Sequence, residues 1–184
     1  MNNETYPYIK YNVNGVTFLL TPRPDSYDEQ AVEGFVQTWR PRVRFQLTDD
    51  SVEKYLGHAI PMHWYGWIPG KRIPTELVFN AVSLINYYAD RGATIWMHCD
   101  SSSMRAPTFF GHYLKTIMSD EQIIALESIA KWTDGRQQSE PSYYSNTSIK
   151  MDPGMKELIE AWQTGGEKEA HTYITKVKNE WDKE

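Results

Sequence analysis

The most informative stretch of the sequence is IWMHCDSSSMRAPT, residues 95–108. Its first residues continue an apolar run that begins at Ala93, and such a run is typical of a buried strand. A short polar segment follows, and Arg105 opens a segment in which apolar residues recur at helical spacing. A loop that enters a helix directs backbone N–H groups and the positive end of the helix dipole toward one point. The pattern therefore predicts an anion-binding loop.

Cys99 and Arg105 stand at the two ends of this predicted loop. A thiol near a helix N-terminus is shifted toward the thiolate, which is the nucleophilic form. The planar guanidinium of an arginine can hold two oxygens of a phosphoryl group. The sequence thus has a predicted strand, then Cys99 as a candidate nucleophile, then an anion-binding loop that ends at Arg105. Phosphoryl transfer to sulfur requires these parts in this order. The alternative is a structural Cys99, since a lone cysteine is most often a small buried apolar residue.

On these residues the chain resembles the protein tyrosine and dual-specificity phosphatase superfamily, whose signature is His-Cys, five residues, Arg, and then usually Ser or Thr. His98, Cys99 and Arg105 match the signature. The resemblance covers roughly residues 16–132. Other matching segments are Leu47-Thr48-Asp49 at the end of an earlier strand, Ile73-Pro74 after the general-acid loop, and Pro107-Thr108 and Tyr113-Leu114 after the arginine.

The resemblance implies a two-step reaction without a metal or cofactor. Cys99 would attack phosphorus to form a phosphocysteine, Arg105 and the loop amides would stabilise the equatorial oxygens, and water would release phosphate. His98 would order the loop and tune the thiol. The predicted catalytic residues are Cys99 and Arg105, and the predicted substrate-binding residues are His98, Asp100, Ser101, Ser102, Ser103, Met104 and Trp67.

The general acid of the superfamily is not evident in this sequence. The family carries an aspartate some thirty residues before the cysteine, but no Asp or Glu lies between Glu53 and Glu76. General acid catalysis contributes about 10²–10⁴-fold, so its loss would be costly unless another group substitutes. The alternatives are His63, whose ordinary reading is a half-buried strand residue, and the aspartates Asp25, Asp28, Asp49, Asp50 and Asp100.

The loop and the residue after its arginine depart from the family pattern as well. Ala106 replaces the Ser or Thr that helps the thiolate to leave, which predicts slow breakdown of the phosphoenzyme. Ser102 replaces a glycine where the backbone needs positive φ or a close approach to the ligand. Asp100 places a negative charge beside the anion site, and the loop has no lysine.

Two function classes follow. The first is a phosphatase that hydrolyses phosphomonoesters, such as phosphotyrosine or phosphoserine/threonine of proteins or a small phosphomonoester. The second is a catalytically impaired pseudophosphatase that binds phosphorylated or other anionic ligands. A third interpretation takes the aromatic residues as an interaction surface, against the ordinary alternative of core packing. Those residues are Trp64, Tyr65 and Trp67 near the predicted site and Tyr143 and Tyr144 in a late loop.

Composition and charge limit the partners, the location and the cysteine or metal chemistry that we expect. The formal net charge of −5 and the pI near 5.6 disfavour nucleic acid as a partner. The first ten residues lack the apolar stretch of a signal peptide, and no segment approaches the roughly 18 apolar residues of a membrane span. These features predict a cytoplasmic protein without a membrane partner. One cysteine excludes an intrachain disulfide, and His58 and His63 lack further ligands for a metal.

The element pattern predicts an α/β fold with a central, mostly parallel sheet flanked by helices and additional C-terminal helices. We expect one domain over residues 1–184, with a core of about 16–132 and a helical extension over 133–184. Asn14-Gly15 predicts a hairpin turn within 6–21. Further strands are predicted at 43–47, 59–65 and 93–98, and helices or turns at 28–39, 51–56, 75–91, 105–118, 119–132, 153–163 and 167–182.

Overall fold

A five-stranded mixed sheet forms the centre of the computed structural model, which describes residues 5–48, 60–64, 75–100, 105–136 and 155–181. The strand order is β1-β2-β5-β3-β4, with β1 antiparallel to β2 and the other neighbours parallel. All four residues of β5 are buried, as expected for a central parallel strand. The strands are β1 (Ile9–Val13), β2 (Val16–Thr21), β3 (Val43–Gln46), β4 (Met62–Trp64) and β5 (Ile95–His98).

Helices cover both faces of the sheet, and the predicted fold class is confirmed. On one face, Phe35 of α1 packs with Leu19 and Trp96. On the other, apolar residues of α2, α3 and α5 join a larger core with Phe18, Phe45 and Met97. The helices are α1 (Glu29–Trp39), α2 (Thr75–Ala89), α3 (Arg105–Ile117), α4 (Asp120–Ile129) and α5 (Met155–Trp181), and a 3₁₀ turn spans Pro24–Ser26.

Local sequence signals account for the first elements. Asn14 and Gly15 have φ angles of 51° and 82°, so the predicted hairpin turn is confirmed. Asp28 accepts a hydrogen bond from the backbone N–H of Gln30 and so caps α1. Pro61 directly precedes β4. A proline at this point favours an edge strand, and β4 lies at the edge of the sheet.

Apolar residues at helical spacing in the sequence, with Ile117 among them, predict which faces of α2 and α3 are buried, and this prediction is largely confirmed. Val78, Ala81, Val82 and Ile85 of α2 are buried, and so are Phe109, Phe110, Tyr113 and Leu114 of α3. The prediction that Ile117 points inward is wrong, since this residue is 37% exposed. It is the last residue of α3, where the chain turns toward the next helix.

The capping box before α4 is confirmed, whereas the predicted extent of the helix is wrong. Ser119 and Gln122 exchange the two hydrogen bonds of the box. The helix ends at Ile129 rather than at Trp132, which instead forms a β-bridge with Ile9 at the start of β1. This pairing across the fold competes with continuation of the helix.

The C-terminal part of the chain belongs to the apolar core. Two helices were predicted at 153–163 and 167–182, and the structure has one span, α5, interrupted at Gly166 with a φ of 70°. Leu158, Ile159, Trp162 and Ala170 of α5 join the same core as β5 and α3. None of the helices in the described ranges is both long and apolar enough to cross a bilayer.

Several predictions lie outside the described residues. They are the short helix or turn at 51–56, the loop at 66–74, and all of the irregular segment 134–152 except 134–136. The same applies to Tyr65, Trp67, Tyr143 and Tyr144, and to the side chain of Trp64.

Candidate active site

The carboxyl ends of three parallel strands meet beside Cys99. Thr21 of β2 and Gln46 of β3 both lie in register with His98, the last residue of β5. Cys99 follows directly, and α3 begins six positions later at Arg105. In open α/β sheets, ligands bind at this edge, outside the carboxyl ends of the strands. The predicted buried strand before Cys99 and the predicted helix from Arg105 are both confirmed, and residues 101–104 between them lie outside the described part of the chain.

Cys99 is buried, with 2% of its surface exposed, and it belongs to the main apolar core. The carbonyl of His98 accepts a hydrogen bond at 2.9 Å from the backbone N–H of Leu47, which ties the start of the loop to the end of β3. The thiol is thus carried by the most central strand of the sheet, and its backbone is held on one side by β3.

The structure describes the other predicted loop residues only in part. Arg105 is the first residue of α3, but its side chain is not among the described parts of the chain. Ser101, Ser102, Ser103 and Met104, predicted to bind substrate, lie outside the described residues, as does Trp67. Their roles, and those of Cys99 and Arg105, stay predictions.

His98 is fully buried at the end of β5, and its ring lies 5.4 Å from that of Trp96. Burial, together with the positive charges of Arg44 and Arg23, holds the pKa of His98 well below its usual range. Within the described residues, neither ring nitrogen has a hydrogen-bond partner. The neutral form of His98 is therefore favoured at the position next to Cys99.

An arginine that the sequence analysis missed lies at the same edge of the sheet. Arg23 donates a side-chain hydrogen bond to Asp100 at 3.3 Å and forms an ion pair with Asp25 at 3.1 Å. Its backbone N–H also donates to the carbonyl of Asp100 at 2.9 Å. The sequence carries no local signal for this cluster, because it depends on β2 and β5 being neighbours in the sheet.

Two candidates for the general acid, Asp25 and Asp100, lie together at Arg23, and the others lie elsewhere or outside the described residues. Asp28 caps α1, Asp25 and Asp100 pair with Arg23, and Asp49 and Asp50 lie outside the described residues. His63 lies on the edge strand β4, with its ring near those of Phe45 and Tyr88. Burial lowers the pKa of His63, which favours the neutral form and makes it a poor proton donor near pH 7.

Two other observations bear on the site. Ala106 lies in the first turn of α3 and is fully buried. Because its side chain is a methyl group, this position offers no hydroxyl to the site. Gln46 and Thr48 at the end of β3 are also fully buried, and the amide of Gln46 donates to the hydroxyl of Thr48 at 2.7 Å. The described part of the chain holds no cluster of three or more His, Cys, Asp or Glu suited to a metal ion.

A cleft of about 470 Å³ lies elsewhere, between the N-terminal segment and α1. Tyr6, Tyr8, Phe35 and Trp39 form much of its wall. Asp28, one of the alternatives for the general acid, is among its lining residues, whereas His98, Cys99 and Asp100 are not.

The fold with this strand, loop and helix is that of the cysteine-based protein tyrosine and dual-specificity phosphatases. Three solved structures show the likeness. DUSP15 has 10% identity and a TM-score of 0.55, covering 91% of this chain and 95% of its own. PTPMT1 in complex with PI(5)P has 11% identity and a TM-score of 0.54, covering 91% and 98%. The core catalytic domain of the PP-IP phosphatase SIW14 from S. cerevisiae, in complex with citrate, has 13% identity and a TM-score of 0.54, covering 94% and 93%.

No family model and no curated protein matches this sequence. The likeness to the solved structures is one of fold, at identities of 10–13%. Activity and substrate therefore have to be argued from the residues of this chain.

Proposed function

We propose that the protein is a cysteine-dependent phosphatase that hydrolyses phosphomonoesters through a phosphocysteine intermediate. The observation that carries the proposal is the placement of Cys99 between the central strand β5 and the N-terminus of α3. A nucleophile at this point faces the positive end of a helix dipole and the backbone N–H groups of the helix start. A phosphorylated ligand is the natural occupant of such a site.

In the proposed reaction, the Cys99 thiolate attacks phosphorus, the bond from phosphorus to the ester oxygen breaks, and that oxygen takes a proton from solvent water to leave as the alcohol or phenol. Arg105 and the loop amides of 100–105 balance the charge on the three equatorial oxygens, as positioned donors do in phosphoryl transfer. Water then attacks the phosphocysteine and releases inorganic phosphate and the thiolate. His98 supports the loop from behind in its neutral form.

The proposed substrates are phosphotyrosine or phosphoserine/threonine of proteins, or a small phosphomonoester. Among the structural neighbours, PTPMT1 is seen with PI(5)P and SIW14 is a PP-IP phosphatase, so small phosphorylated molecules suit this fold. The net charge of −5 disfavours nucleic acid as a partner. A cytoplasmic location is part of the same proposal.

The second candidate is a pseudophosphatase that binds a phosphorylated ligand without turning it over. The buried Ala106 favours it, because the family's hydroxyl after the arginine assists release of the thiolate. Retention of Cys99 favours the enzyme, since binding alone needs no nucleophile.

The test is hydrolysis of a small aryl phosphate from pH 5 to 8 by the wild type and by Cys99→Ser. We expect turnover in the wild type and only background hydrolysis in the variant, because a serine hydroxyl is a far weaker nucleophile than a thiolate. The variant should keep its thermal midpoint and its affinity for inorganic phosphate.

An aryl leaving group needs little protonation, so absence of an acid does not hide activity. If the folded wild type binds inorganic phosphate but never hydrolyses the aryl phosphate, the phosphatase hypothesis is rejected in favour of the pseudophosphatase. A wild type that does neither would refute both.

A further inference from the structure

The loop after β2 and the first residue after Cys99 are joined by both backbone and side chains. Thr21 lies in register with His98, so two residues further along each strand Arg23 comes opposite Asp100. The backbone N–H of Arg23 donates to the carbonyl of Asp100 at 2.9 Å. This hydrogen bond continues the pairing of β2 and β5 beyond the sheet, and it brings Arg23 to the predicted phosphate loop.

The side chain of Arg23 lies between two carboxylates. Its Nη1 is 3.3 Å from Oδ1 of Asp100 and its Nε is 3.1 Å from Oδ1 of Asp25. Arg23 is the better covered partner, with 19% of its side chain exposed against 37% for Asp25 and 58% for Asp100. A half-covered pair is screened less by solvent than a fully exposed one.

Asp100 is an unfavourable residue for an anion site, because its carboxylate follows the nucleophile directly in the chain. A like charge near a phosphate dianion opposes its binding, whereas a paired carboxylate opposes it less. The charge of Arg23 is also felt one residue before the nucleophile, since it contributes to the low pKa of His98. The positive field of Arg23 therefore reaches both sides of Cys99.

We propose that Arg23 is a positioning residue of the phosphate site, acting through Asp100. Arg23 holds the Asp100 carboxylate in an ion pair and offsets its charge, so that the loop accepts a phosphate dianion despite an acidic residue next to the nucleophile. This inference rests on the proposed function, because it assigns Arg23 to the same anion site.

The experiment measures the dissociation constant of inorganic phosphate by titration calorimetry for the full chain and its variants. Arg23→Gln should raise the constant about tenfold, which corresponds to about 1.4 kcal/mol, because Arg23 then no longer offsets the negative charge of Asp100. Arg23→Lys keeps the charge and should stay within about threefold of the wild type. Asp100→Asn should bind phosphate at least as tightly as the wild type.

The double variant Arg23→Gln/Asp100→Asn is decisive. If Arg23 acts by offsetting Asp100, the double variant recovers the affinity of Asp100→Asn, as a double-mutant cycle of coupled residues requires. The defect of Arg23→Gln should also shrink in 0.5 M salt, where the Debye length falls to roughly 4 Å. A purely structural role of Arg23 would produce neither the recovery nor the salt dependence.

Arg91→Gln is the matched control, since it removes the same charge beyond the amino end of β5, where Arg91 covers the ring of Tyr87. Its phosphate affinity should stay within twofold of the wild type. An unchanged affinity in Arg23→Gln, or a double variant as weak as Arg23→Gln, would overturn the role of Arg23 while the proposed function stands. A folded wild type that neither binds phosphate nor hydrolyses an aryl phosphate would overturn both.

Discussion

At the scale of single residues, burial sets the charge of three histidines. His98 at the end of β5 and His112 on α3 are both at most 1% exposed, and His63 on β4 is half-buried. Burial lowers the pKa of His112 to about 3, with a smaller contribution from the positive charge of Lys115, and it lowers those of His63 and His98. In water, all three would titrate near pH 6.5. The folded protein is thus most compatible with these residues when they are neutral.

This difference predicts that stability falls as the pH falls below about 6.5. The unfolded chain takes up protons at these histidines that the folded chain does not, so the free energy of unfolding rises with pH in this range. With a folded pKa of about 3, His112 alone contributes a loss of about 2 kcal/mol between neutral pH and pH 5. Urea unfolding at pH 7.5, 6.5, 5.5 and 5.0 measures this loss of the free energy of unfolding.

The matched variant is His112→Gln, which keeps a polar side chain but cannot titrate. Its free energy of unfolding should fall by about 2 kcal/mol less between pH 7.5 and pH 5 than that of the wild type, whatever its value at neutral pH. Equal pH dependence of the two proteins would show that His112 does not remain neutral on folding.

At the scale of elements, two glycines illustrate opposite backbone requirements. Gly15 in the β1–β2 turn has a φ of 82°, in the region that L-residues rarely adopt. Gly34 lies within α1, where glycine is a weak helix former. A Cβ at either position would meet no atom within 4 Å. The change in the free energy of unfolding on replacing either glycine by alanine therefore reflects the conformational preference of the backbone and not side-chain packing.

Gly15→Ala should lower the free energy of unfolding by about 1–2 kcal/mol, because the turn forces alanine into the left-handed region. Gly34→Ala should raise it by about 0.5–1 kcal/mol, because alanine restricts the unfolded chain and favours the helix. Urea unfolding of both variants beside the wild type gives the two values. Changes of the same sign in the two variants would contradict the assigned backbone conformations.

At the scale of the whole molecule, α5 closes one side of the core. Trp162 is 7% exposed and its ring lies 5.5 Å from that of Phe79 on α2. The amide of Gln163 donates to the carbonyl of Lys115, which ties α5 to α3. The same two helices pack on the sheet beneath Cys99, so α5 supports the elements that frame the site. The single domain over residues 1–184 stays a prediction, which unfolding experiments can test.

Trp162→Ala should lower the free energy of unfolding by about 3–5 kcal/mol, because it removes a large buried side chain and leaves a cavity. Glu160→Ala, at an exposed position two residues earlier on the same helix, should change the free energy of unfolding by no more than about 0.5 kcal/mol. Fluorescence and circular dichroism should report one coincident transition if α5 and the sheet unfold as one unit. Two separated transitions would show that the C-terminal helix is an independent unit.

Local chemistry explains why much of the fold could be read from the sequence alone. The Asn14-Gly15 turn, the Ser119–Gln122 capping box and the buried run of β5 each depend on residues close in the chain. The same holds for the framework around Cys99, because a strand that ends at His98 and a helix that begins at Arg105 lie close together in the chain. Cys99 could therefore be placed between these two elements without any knowledge of strand order.

Only the tertiary structure decided which distant segments became neighbours. The insertion of β5 between β2 and β3 places Arg23 against Asp100, 77 positions away, and no local pattern encodes that pairing. The pairing of Trp132 with Ile9 ended α4 early, and burial of the apolar face of α5 drew a largely polar C-terminal segment into the core. In each case the deciding contribution is contact between surfaces that are remote in the chain, which local propensity does not contain.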